Sequence, residues 1–136
     1  MVLVTDYDVY SLSPRSPIEE DLLTTALEGG SDYWYYLPDL SMVPKGRAPL
    51  SVRIFRAVMY DDRSVPVTDV NERGTKSESE RLGFITSKRI RAALREMSSP
   101  QSKYRQVAAR IASEDYDASD ADVWFQFVVM GKVVYG

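Results

Sequence analysis

The sequence predicts one α+β domain, with a small antiparallel sheet of about three to four strands packed against about three to four helices. Three observations carry this prediction. Several segments open with a helix-start signal and continue with apolar residues three and four apart. Others are short, rich in β-branched or aromatic residues, and bounded by Pro, Asp and Ser turns. The 136 residues are one domain's worth, and an apolar share of 44% against 27% charged residues suits a chain that buries its own core.

Residues 2–12 alternate weakly and predict a strand. The first helix has a defined start, with Ser16 as N-cap, Pro17 at the first helical position and Glu19 completing a capping box. Ile18, Leu22, Leu23, Ala26 and Leu27 form its apolar face, and Gly29-Gly30 end it. After the aromatic run Tyr33 to Tyr36, a loop holds Pro38, Pro44, Gly46 and Pro49. Ser51 to Tyr60 predicts a strand, because Val52, Ile54, Ala57, Val58 and Met59 interleave with Arg53 and Arg56, with a bulge near Phe55. A turn at Asp61 to Ser64 leads to a second strand, Val65 to Val70, which Pro66 pushes to a sheet edge.

Residues 71–83 are polar and predict a flexible loop. A helix over Ser87 to Met97 turns Ile90, Ala93, Leu94 and Met97 inward. A third, starting at Ser99-Pro100, carries the stripe Tyr104, Val107, Ala108, Ile111 and Ala112. The segment 119–130 opens with Ser119 and Asp122 in capping-box spacing and is apolar on nearly every side. It reads as a buried helix or a buried strand, stopped by Gly131. Val133 to Tyr135 suggest a short terminal strand.

The chain has no Cys and no His. Disulfides, thiolate nucleophiles and Cys-based metal sites are excluded. So are the commonest general base and the commonest transition-metal ligand. The expectation is a binding protein rather than an enzyme, with no cofactor and no metal. The start, Met-Val-Leu-Val-Thr-Asp-Tyr-Asp, has no signal-peptide pattern, and the longest apolar run is far short of the ~20 residues that cross a bilayer. A cytoplasmic, membrane-free protein is expected.

Charge is uneven. Residues 1–40 carry eight acids against Arg15, whereas residues 81–110 carry eight bases against Glu96. The basic segment either lies against the acidic ends or presents Lys88, Arg91 and Arg95 as one helix face for phosphates or an acidic partner. Direct nucleic-acid binding is not expected from a chain of net charge −3. The stretch Asp115, Asp117, Asp120, Asp122 starts like a calcium loop, but Asp120 and Gln126 stand where Gly and Glu are required. The cluster Tyr33, Trp34, Tyr35, Tyr36 is a base-stacking platform, an interface anchor or core.

Two segments together resemble a family of small proteins encoded by bacteriophages and prophages. One is Ala26-Leu27-Glu28-Gly29-Gly30-Ser31-Asp32-Tyr33-Trp34. The other runs from Glu114-Asp115-Tyr116-Asp117-Ala118 through Ala121-Asp122-Val123 and Gln126 to Gly131-Lys132-Val133-Val134-Tyr135-Gly136. They cover about a quarter of the chain, and the middle, 38–110, departs from the family pattern. The resemblance brings no catalytic residues. It implies a phage accessory protein that binds and inhibits a host protein or complex, such as a CRISPR effector or another defence protein. The partner-binding residues expected are Asp32, Trp34, Tyr35, Asp115, Asp117 and Asp120. The alternatives are a sponge for a signalling nucleotide, with the aromatic cluster on the base and Lys88, Arg91 and Arg95 on the phosphates, and a carboxylate- and metal-dependent enzyme.

Overall fold

The computed structural model describes residues 17–72 and 81–136. Its elements in chain order are α1 (Ile18–Thr25), β1 (Tyr35–Tyr36), α2 (Leu50–Tyr60), β2 (Val65–Asp69), β3 (Arg81–Ile85), α3 (Ser87–Met97), α4 (Arg105–Ala112) and α5 (Ala118–Met130). The sheet is antiparallel in the order β1-β2-β3, so the α+β architecture stands as expected. Among the described residues no helix is long and apolar enough to cross a membrane.

The core is built around α5. Its side chains Trp124, Phe125 and Val128 are fully buried, and the helix packs against α1, α3, α4 and β3. A segment apolar on all sides has to be enclosed in this way. Its choice between helix and strand is settled by its ends. Asp117 accepts from the Asp120 N–H and Asp120 reaches back to the Asp117 N–H, while Gly131 closes the helix in the left-handed conformation at φ 73°. The cap is therefore Asp117 with Asp120, not Ser119 with Asp122, and residues 133–135 form no strand.

Contact between sheet and helix is closest at Gly83. A Cβ there would stand 2.0 Å from the Val129 carbonyl oxygen, so only glycine lets β3 lie against α5. Residues 81–83, expected within a loop, are thus strand, whereas 73–80 lie outside the described residues, as do the predicted strand 2–12 and the Ser16 cap.

The main departure is α2. Residues 51–60, expected as a strand, form a helix with Ile54, Phe55 and Val58 buried. The apolar positions fit both periods over so short a stretch, and Pro49 at the N-cap with burial against α1 decides for the helix. β2 is the central strand, not an edge. Pro66 is tolerated because β1 pairs only with Thr68 and Asp69, so Pro66 has a neighbour, Phe84, on one side alone. The fourth helix begins at Arg105 rather than at Ser99.

Candidate functional site

The two segments that carry the phage-family resemblance meet in space around Asp122. This carboxylate is 7% exposed. Its Oδ1 accepts from Ser31 Oγ at 2.6 Å and Trp34 Nε1 at 2.7 Å, and its Oδ2 from Tyr33 OH at 2.5 Å and Gln126 Nε2 at 3.2 Å. Two donors on each oxygen fill the acceptor capacity of a carboxylate. Among the described residues no cation pairs with it. Asp122, expected to cap a helix with Ser119, is instead the centre of a buried polar hub.

Gln126, fully buried, extends the hub. Its Oε1 accepts from the N–H groups of Val134 and Tyr135, and its Nε2 donates to the Tyr135 carbonyl. The C-terminal residues are held so that the Tyr135 ring stacks on Trp34 with centroids 5.3 Å apart, and the Tyr135 hydroxyl donates to Asp69. Burial and this hydrogen bond push the Tyr135 phenol up to about 12. The turn that feeds Ser31 into the hub, Ala26–Gly30, is a π-type turn with Gly29 at φ 144°, and Gly30 abuts the Ala118 carbonyl.

These duties sort the expected site residues. Trp34, 1% exposed, is core and not an exposed anchor. Tyr35 is half-buried, packs edge-on against Phe125 and donates to the Leu27 carbonyl. Burial first, then the Asp32 carboxylate, raises its phenol to about 12. Asp120 is buried in a two-pronged ion pair with Arg110, at 2.7 and 2.9 Å, which holds its carboxyl below the ordinary range. Asp32, Asp115 and Asp117 are exposed.

Asp115 and Asp117 stand at an acidic end of the molecule that also includes Asp21 and Glu114. The half-buried Tyr116 phenol is raised by burial and then by Asp21 and Glu114, and Arg110 feels Asp117 and Asp115 as well as its partner Asp120. Glu114 adopts φ 59°, a left-handed conformation at the end of α4 where glycine is the usual residue. Asp21 and Glu114 were not singled out from the sequence, because their approach depends on the packing of α1 beside the 113–118 turn.

The basic segment divides. Arg89 forks onto Glu96 and also donates to the Phe127 and Val128 carbonyls, closing the C-terminal end of α5. Arg110 serves Asp120. Lys88, Arg91 and Arg95 are exposed on α3. Arg91 and Arg95 border a cleft of about 300 Å³ with Ile18, Glu19, Leu22 and Leu94, and none of Tyr33 to Tyr36 lines it. The aromatic cluster and the basic row are therefore not brought together there. Among the described residues no group of three or more acids converges in a metal-binding arrangement. Comparison of the chain with protein-family models, with curated proteins and with solved structures finds no match.

Proposed function

We propose that the protein is a non-catalytic phage-type accessory protein that binds a host component, a defence complex in the leading reading, through its acidic end. One observation carries this reading. Exposed Asp115 and Asp117 lie with Asp21 and Glu114 near Tyr116, beside the Arg110–Asp120 ion pair. A surface of one sign steers association with a basic channel or groove and competes there with nucleic acid. The phage-family resemblance supplies the context of a host target. The bacterial cytoplasm is the compartment that this reading requires.

The test is affinity purification from a susceptible host with the intact chain and with the triple variant Asp21→Asn, Glu114→Gln, Asp115→Asn. Asp117 is left alone because it caps α5. The wild type retrieves one host protein in stoichiometric amount, and the variant, equally folded, loses it. Equal retrieval by both, or by neither, sinks the proposal.

A further inference from the structure

We infer a second, separate site: a cationic cleft between the proline-rich loop and α2 that takes the phosphate groups of a small polyphosphate ligand. The cleft encloses about 280 Å³ and is lined by Lys45, Arg47, Arg53 and Arg56, with Asp61 as its one acid. Arg53 is fixed in place. Its Nε donates to the Ala48 carbonyl at 2.9 Å and its Nη1 to the Pro44 carbonyl at 3.3 Å, so the guanidinium braces the loop, and Arg53 lines the cleft that the loop forms. Gly46 lies against the aliphatic stem of Arg53.

Lys45, Arg47 and Arg56 form no ion pair among the described residues. Glu20 lies within electrostatic reach of Arg56 without pairing with it. Four cations and a single acid line the cleft, and guanidinium forks suit phosphate oxygens. The size favours one or two phosphoryl groups, as in a pyrophosphate or the diphosphate of a nucleotide. An extended nucleic-acid backbone needs a longer basic track than this cleft offers, on a chain that is acidic overall.

The site is tested by calorimetric titration of the full chain with inorganic pyrophosphate at low ionic strength. Binding of one pyrophosphate per chain is expected, weakened by about tenfold or more in Lys45→Gln/Arg47→Gln and unchanged in Lys88→Gln/Arg95→Gln, which removes the same charge elsewhere. Arg56→Gln, a single exposed side chain on the helix, is expected to move affinity in the same direction and separates ligand contact from any disturbance of the loop. Absence of binding, or equal weakening by the α3 variant, overturns the assignment. So does a single-stranded oligonucleotide that binds where pyrophosphate does not.

Discussion

Replacing Asp122 with alanine tests the hub at its centre. Loss of Oδ1 strands two donors in the core, Ser31 Oγ and Trp34 Nε1, which belong to residues 0% and 1% exposed. Loss of Oδ2 costs less. Tyr33 is half exposed and its hydroxyl turns to water, while Gln126 Nε2 keeps the Tyr135 carbonyl. Two stranded buried donors at about 1–3 kcal/mol each give a loss of roughly 2–6 kcal/mol, a large part of the ~5–15 kcal/mol that holds a domain together. Asp122→Asn keeps one carbonyl oxygen for Ser31 and Trp34, and its amide can donate to the Tyr33 oxygen, so it costs about 1–2 kcal/mol. Urea unfolding followed by tryptophan fluorescence measures both, provided the denaturant slope is unchanged. In a cycle with Trp34→Phe, which removes the donor itself, part of the alanine penalty disappears. An Asp122→Ala variant within about 1 kcal/mol of wild type would refute the reasoning.

Further outcomes follow from other contacts. Gly83→Ala forces a Cβ into the Val129 carbonyl and destabilises the protein by about 3 kcal/mol or more; a thermal melt like that of wild type would contradict the close contact of β3 with α5. Glu114→Gly relieves the left-handed backbone and raises stability by about 0.5–1 kcal/mol in the same melt while weakening partner capture. Tyr35 and Tyr135 hold their protons up to about pH 12, above the ordinary phenol value of 10. The folded state therefore binds more protons than the unfolded state between those values. Their contribution is complete below pH 10 and is lost as pH rises towards 12. Phenolate absorbance that rises near pH 10 for every tyrosine while the fold persists would contradict it. At the acid end, Asp120, Glu96 and Asp69 have depressed values, through Arg110, Arg89 and Tyr135 respectively. Their contribution is complete only above the ordinary carboxyl values, 4.5 for Glu96 and 3.8 for the two aspartates, and fades as pH falls below them, which acid titration of the circular dichroism signal reads.

Local chemistry was legible in the sequence wherever a signal is local. The Gly29-Gly30 end of the first helix, the Ser87–Met97 helix and the left-handed stop at Gly131 are all encoded within a few residues, whereas Pro17, expected at the first helical position, is the N-cap itself. α2 was not legible, since Val52 to Met59 satisfies alternation and helical periodicity alike, and burial against α1 decides between them. That ambiguity hid the cationic cleft. On a strand Arg53 and Arg56 point to opposite faces, whereas on a helix three residues bring them to one face. The hub was hidden for a different reason. Asp122 bonds to residues 88 to 91 positions away, and no periodicity reports a contact of that range. The usable signal was the pair Asp122 and Gln126, two polar residues four apart in an apolar helix, each of which had to find partners. The same contacts explain why Trp34 serves the interior, while the Leu27 carbonyl and the Phe125 ring turn Tyr35 inward.

Carboxyl footprinting of the complex with the captured host protein bears most directly on the acidic end as the working surface. Labelling of Asp21, Glu114 and Asp115 is expected to fall on binding, with exposed Asp39 and Asp61 labelled as before. Protection centred on Asp39 or Asp61, with the carboxylates around Tyr116 still reactive, would show that the protein engages its partner elsewhere.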